Sequence, residues 1–229
     1  MPTGVALRDV REQLFAAAER VLLRAGPSGL TSRSVTEEAG VAKGVLHRHF
    51  ADFDAFLADL VRSRIARIEL QSAALCDSAG TGTVEGNLAD ALTVLFGPVA
   101  VAIVGIVTFR DDLRHRLREA RPENDAGPQD DTWAKNYPWP GGAARPGAGA
   151  APPRGIPVLA EAAAMLSKYL AIECELGRIA ADADTGSLAV LLIGAGHLLF
   201  GDRQAPPAAG AVNQVVAAAV ADVTQRRLL

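Results

Sequence analysis

The sequence predicts an all-α protein, and three observations carry that prediction. Ala, Leu and Val dominate a chain that is 49% hydrophobic, while aromatic residues make up only 5%. Ala and Leu are strong helix formers, and the aromatic residues that favour strands are few. Apolar residues recur at three- and four-residue steps through most segments, the period of a helix with one buried face. Helix punctuation falls where those stripes end, at Gly26-Pro27, Thr31, Gly40 and Asp52. A length of 229 residues suits one large domain, or a small one joined to a larger one.

Each element follows from its local pattern. Val10, Leu14, Ala17, Ala18, Val21 and Leu22 form the stripe of a first helix from about Leu7 to Ala25. Gly26-Pro27 stops it. Thr31 is a suitable N-cap for a second helix running through Ala39. Gly40 supplies a turn, being free to take positive φ. A short third helix follows from about Ala42 to His49, and Asp52 caps a longer one. In that helix Phe53, Phe56, Leu57, Leu60, Val61, Ile65 and Ile68 form the stripe. Helical patterning breaks near Gly80-Thr81-Gly82, and a buried run covers 88–109. Residues 110–119 alternate Arg with Asp and Glu and read as a solvated helix face. Residues 122–157 hold eight of the 13 prolines and six glycines around Trp133, Tyr137 and Trp139, so a long loop is expected there. A surface excursion pinned by its aromatics is the plainer reading of it, and an aromatic lid over a pocket the other. Three helices then close the chain, about Val158–Gly177, Ser187–Gly201 and Ala209–Arg227.

Composition narrows the function. Net charge is −3, which argues against a generally basic, sticky protein. Residues 1–70 nevertheless hold ten Lys or Arg against nine Asp or Glu, leaving the excess of acid to the remainder. That asymmetry is mild, and its sign suits a polyanion at the N-terminal end. Two cysteines, Cys76 and Cys174, make no disulfide framework, and no Cys/His cluster has zinc spacing. No nucleophile–base pair or phosphate loop is visible, so neither an enzyme, a cofactor nor a metal is expected. Charged residues interrupt the apolar pattern of the first 25 residues, so no signal peptide is expected and a cytoplasmic location is. Residues 91–109 carry no charge and are long enough to span a bilayer. Gly97-Pro98 interrupts that run, and a buried core helix is expected instead.

Residues 31–50 are the most informative stretch. They have the grammar of two short helices joined by a tight turn. Leu46 and Phe50 sit four apart and anchor the second helix, while Gly44 permits close backbone approach. Lys43, His47, Arg48 and His49 are left to face outward. Arg48 is the candidate for bidentate readout of guanine, and the histidines are candidate phosphate donors. Thr31 and Ser32 offer hydroxyls and free backbone N–H groups at a helix start, and Arg33 projects from the first turn. Thr31 has an equal claim to being only a cap, and His49 a claim to being packed beside Phe50.

Several motifs together resemble the TetR family of one-component transcriptional regulators. These are Gly26-x-x-Gly29-Leu30-Thr31, Thr31-x-Arg33-x-Val35-x-x-x-Ala39-Gly40-Val41, Lys43-Gly44-x-Leu46-x-Arg48-His49-Phe50 and Phe56-Leu57. The resemblance covers about Arg8 to Leu60. It implies an N-terminal three-helix helix-turn-helix DNA-binding domain, over 1–52, with its third helix in the major groove. It also implies a C-terminal helical ligand-binding and dimerisation domain over 53–229, pairing through the last two helices. The DNA-binding set it implies is Thr31, Ser32, Arg33, Lys43, Gly44, Val45, His47, Arg48 and His49. Three positions depart from the family: it often has Thr for Val45, Tyr for His47 and Lys for Phe53.

The expected activity is a homodimeric repressor that binds a palindromic DNA operator and is released by a small hydrophobic effector. The candidate effector lining is Leu92, Phe96, Val99, Ile103, Phe109, Met165 and Tyr169, with Tyr169 and His197 as polar anchors. For His197, a core or interface role is the plainer reading. Val45 and Phe53 motivate an alternative, a small-molecule-binding helical protein whose DNA head is degenerate.

Overall fold

A computed structural model describes residues 4–119, 156–201 and 207–226. The loop expected over 122–157, with Trp133, Tyr137 and Trp139, lies outside them except for its last two residues. Among the described residues the chain is helical and contains no strand. Three helices form an N-terminal head: α1 (Gly4–Gly29), α2 (Ser32–Glu38) and α3 (Gly44–His49). Seven further described helices form the body: α4 (Phe53–Asp77), α5 (Val84–Leu95), α6 (Pro98–Phe109), α7 (Asp111–Glu119), α8 (Pro157–Glu175), α9 (Thr185–Leu199) and α10 (Ala211–Arg226).

The head is built by short-range signals. Gly26 breaks α1 with φ 70° and ψ −175°, so the long helix ends at the expected place and a final turn follows Pro27. Thr31 caps α2 in a reciprocal box. Its hydroxyl accepts from the Ser34 N–H at 3.0 Å, and the Ser34 hydroxyl accepts from the Thr31 N–H at 2.9 Å. Gly40 ends α2 at φ 67°, and the Val41 N–H reaches back to the Thr36 carbonyl at 3.0 Å. The third helix starts two residues later than expected, at Gly44, with Lys43 already in helical dihedrals before it.

Long contacts build the body. α4 packs along α8, α8 on α9, α9 on α10, and α10 returns to α5. The uncharged run does not form one core helix. Gly97-Pro98 splits it into α5 and α6, bent 63° apart, and no single helix among the described residues is long and apolar enough to cross a membrane. The bend turns α6 back against α1, where a side chain at Gly105 would stand 3.5 Å from the Pro27 ring. Body and head therefore share one hydrophobic core, running from Leu14 and Leu46 through Phe56 and Leu60 to Ile103 and Leu166.

One buried charge closes the far end. Glu173 on α8 is fully buried. It accepts from the Gly80 N–H at 3.3 Å and pairs with the Arg178 guanidinium at 3.3 Å. Arg178 also donates to the Gly82 carbonyl at 2.7 Å, tying the α4–α5 turn to the end of α8. Removing one partner from such a pair strands the other in a dry interior, which costs about 3 kcal/mol. Arg178→Met should lower the unfolding free energy by that amount in a denaturant titration. A loss under about 0.5 kcal/mol, as at an ordinary surface position, would show that Glu173 does not depend on Arg178.

Candidate nucleic-acid interface

The outer face of α3 is positioned by an aromatic cluster at its C-terminal end. Phe50 leaves the helix in extended geometry and turns inward. Its ring meets Phe56 of α4 edge-on at 5.0 Å and Phe15 of α1 at 5.9 Å. Phe53 stacks on Phe56 at 5.6 Å. Arg11 covers the cluster, its guanidinium 4.4 Å from the Phe50 ring centroid. The same side chain donates to the His49 carbonyl at 3.3 Å and is paired with Asp59 of α4. Leu46 is fully buried beneath the helix. Six residues of helix are thus held from one side by Leu46 and from one end by Phe50.

That anchoring decides which side chains remain outside. Lys43, Gly44, His47 and Arg48 are exposed, Val45 and His49 half-buried. Among the described residues, Lys43, His47 and Arg48 make no intramolecular hydrogen bond or ion pair. Gly44 has negative φ, and a side-chain carbon placed there would meet nothing within 4 Å, so the fold itself does not require glycine at this position.

The surrounding arginines behave differently. Arg20 and Arg24 both bind Glu38 at 2.7 Å, and hydrogen bonds from Arg20 and then Arg24 hold that carboxyl below its ordinary range. Arg33, expected at the interface, is 2.7 Å from Glu37, and this bond raises its already high value. Arg62 pairs with Asp59 at 2.6 Å and Arg67 with Glu19 at 3.0 Å. Among the described side chains of the head, positive charge left without a partner is therefore found at Lys43 and Arg48, at the start and on the outside of α3.

Of the expected contacts at the start of α2, one takes a structural role and one is turned away from solvent. Thr31 is occupied by its capping box, although it stays exposed. Ser32 does not present its hydroxyl outward. The oxygen is shut off from solvent and without a partner, although the residue as a whole is half-buried.

The charged segment 110–119 is not merely a solvated face. Leu113 and Leu117 are buried, and the arginines reach the start of α4. Arg116 binds both carboxylate oxygens of Asp52 at 3.0 Å, and Arg110 binds Asp54 at 2.9 Å. Asp52 also caps α4 by accepting from the Ala55 N–H at 2.6 Å. Arg116 first, then that N–H, hold the Asp52 carboxyl below its ordinary range. Sequence reasoning found the cap and missed the clamp. Asp52-x-Asp54 before a helix and a distant arginine run were the available signals, but nothing local pairs residues 64 positions apart.

The expected effector residues do not share one environment. Leu92, Ile103 and Met165 are buried in the common core, with Val99 partly buried against it. Phe96 stacks on Phe200 at 5.8 Å and lies 6.4 Å from His197. Its ring fills the space a side chain at Gly196 would occupy, only 2.4 Å away. His197 is half-buried, with its Nδ1 shut off from solvent and unpartnered. Tyr169 is fully buried, its hydroxyl accepting from Asn87 at 3.0 Å; burial, then Glu173, hold that hydroxyl well above its ordinary value. Phe109 contradicts the expectation outright. It is 88% exposed, because α6 buries the face through Ile103, Ile106 and Val107 and Phe109 ends the helix off that face.

Residues 14–60, which span these head helices, match the family model of bacterial regulatory proteins of the tetR family. The head is thus similar to the N-terminal domain of that family. The whole chain shares its fold with solved regulators at low identity. FadR of Bacillus subtilis in complex with stearoyl-CoA is 15% identical, with 93% of this chain and 98% of that one covered at a TM-score of 0.61. NemR of E. coli in its reduced form is 16% identical over 95% and 96%, also at 0.61. The fatty acid degradation regulator FadR of Bacillus halodurans is 16% identical over 92% and 94%, at 0.57. No curated protein matches the sequence. Phe53, where the resembled family often has Lys, contributes a ring to the aromatic cluster.

Phe50→Ala should remove the ring that holds α3, at a cost of about 3–5 kcal/mol. Chemical unfolding of the full chain measures it. A change below about 1 kcal/mol would show that α3 is oriented by something other than this cluster.

Proposed function

We propose that the chain is a ligand-responsive transcriptional repressor that binds a palindromic operator as a homodimer. The observation that carries this reading is the unpaired positive charge of Lys43 and Arg48 on an anchored helix in a head that matches the TetR family model. Lys43, Gly44, Val45, His47, Arg48 and His49 form the groove-facing surface. Gly44 lets the backbone approach a phosphate, and Arg48 reads a guanine. Thr31, Ser32 and Arg33 flank it at the start of α2. There the Ser32 and Arg33 backbone N–H groups are the phosphate donors, the Thr31 hydroxyl and N–H being held in the capping box.

The division falls near residues 52 and 53, where the chain passes from α3 into α4. Pairing through α9 and α10 is supported by an apolar stripe on α9, with Val190 66%, Leu191 56% and Leu198 83% exposed around the exposed Gly194. Two recognition helices must then sit about 34–36 Å apart, one turn of DNA.

Ordinary surface charges account less well for the arrangement, since the other exposed arginines described on the head each hold a carboxylate. A degenerate head remains the second reading, favoured by Val45, which supplies no hydroxyl. Titration of palindromic genomic fragments by fluorescence anisotropy, at several salt concentrations, separates the two. The repressor reading expects a saturable, sequence-selective complex and a free species of twice the 23.8 kDa chain mass by sedimentation. Arg48→Ala should cost about 1–3 kcal/mol of operator affinity and relax one base position. Binding with no sequence preference, or a monomer, would discard the repressor reading.

Effector release works through α4. That helix begins in the aromatic cluster and runs into the body, and its start is gripped by Arg116 of α7 and by Arg110, which joins α6 to α7. An effector preferring one placement of α7 would move α4 and respace the two α3 helices. A hundredfold release corresponds to a coupling of about 2.7 kcal/mol. Arg116→Met should leave effector-free operator affinity unchanged and shrink the effector-driven release about fivefold. Undiminished release would take the clamp out of the coupling.

A further inference from the structure

α3 rests on two apolar anchors, Leu46 beneath it and Phe50 just past its end. Two points leave a short rod free to rock about the line that joins them. A helix of this length supplies little stiffness of its own. A surface that recognises a partner must nevertheless be held to about 0.5 Å and 10–20°. A further contact is needed to fix the attitude of the helix.

Arg11 of α1 supplies it. One terminal nitrogen donates to the His49 carbonyl at 3.3 Å, and the guanidinium lies 4.4 Å from the Phe50 ring centroid. The last carbonyls of a helix lack donors of their own and carry the negative end of its dipole, so a cation is favoured there. The other terminal nitrogen pairs with Asp59 of α4. The second Asp59 oxygen accepts from Arg62 at 2.6 Å, and Arg62 reaches the Arg116 carbonyl of α7 at 3.4 Å. The fork of one arginine therefore joins α1, α3 and α4, with α7 linked behind them. Both members of the Arg11–Asp59 pair keep part of their side chains exposed, 39% and 30%. A bridge of that kind contributes little to overall stability, so its main consequence is geometric.

We propose that Arg11 is a positioning residue for operator recognition, which fixes the attitude of α3 against α4 through Asp59 and makes no contact with DNA. The inference rests on α3 being the DNA-reading helix and deepens that reading. Both terminal nitrogens and one face of the guanidinium are already engaged within the protein. The same arrangement gives a movement of α4 a route to the recognition surface. A shift of α4 carries Asp59, Asp59 carries Arg11, and Arg11 draws on the end of α3.

Hydrogen exchange and DNA titration of the full chain test this together. Arg11→Met keeps the apolar stem and removes the fork. Without DNA, exchange over residues 44–50 should quicken about tenfold in this variant, while exchange over 14–22 stays within about twofold. By fluorescence anisotropy, affinity for an operator duplex should fall about tenfold, and affinity for a scrambled duplex of equal length should stay within about twofold. The salt dependence of operator binding should not change, because no phosphate contact is lost. Asp59→Asn should reproduce both effects, and the double variant should be no worse than either alone, since the two groups act as one. Arg11→Lys should recover only part of the operator affinity, because an ammonium lacks the planar fork. The proposal is overturned if exchange over 44–50 is unchanged, or if the losses from the two single variants add. A salt slope reduced by about one overturns it too, by making Arg11 a phosphate contact. Quickened exchange with full operator selectivity overturns the recognition role alone. A wild-type chain that selects no duplex overturns the repressor reading and the recognition role with it, a failure visible before any variant is made.

Discussion

The packing of Phe50 between Phe15 and Phe56, beneath Arg11, is the contact on which the rest of the molecule depends. A helix of six residues has too few internal hydrogen bonds to persist alone. α3 therefore takes its direction from outside itself, from one aromatic side chain just past its end and one leucine beneath it. The cluster also includes Phe53 and Phe56, the first turn of α4. The same few rings thus aim the exposed helix and start the one that runs into the body. Edge-on and stacked geometries at about 5–6 Å favour particular ring orientations, so the joint is directional and not simply greasy.

Charge is distributed with a comparable economy. Carboxylates on α1, α2 and α4 quench the arginines that the head uses to hold itself together. Among the described side chains of the head, the positive charge that remains unmatched lies at Lys43 and Arg48, on the outside of α3. A net charge near zero over residues 1–70 conceals this, because composition adds up charges that geometry has already cancelled. The weak basicity of the head is a poor guide to the field at its surface.

Local signals were readable from the sequence, and their structural consequences were in large part found. Thr31, Gly40 and Asp52 cap and turn as their residue types dictate, and the last three helices begin and end within two residues of expectation. Leu46 anchors from beneath α3 as its spacing predicts, while Phe50 anchors from just past the helix end, in extended backbone. The failures are failures of direction and distance. Periodicity cannot say that Phe109 ends its helix facing out, or that the Ser32 hydroxyl is turned in. An uncharged run hides its bend unless Gly97-Pro98 is given full weight. The Asp52–Arg116 clamp depends on which distant segments come near, which no single stretch encodes.

The freedom of the outward side chains of α3 has an evolutionary corollary. Lys43, His47 and Arg48 have no ties within the described fold, and Gly44 is not demanded by it. Replacing them leaves the rings and leucine beneath undisturbed. Such a surface can drift through many residue combinations at nearly constant stability, so gene duplicates of this chain can acquire new targets without first passing through an unfolded ancestor.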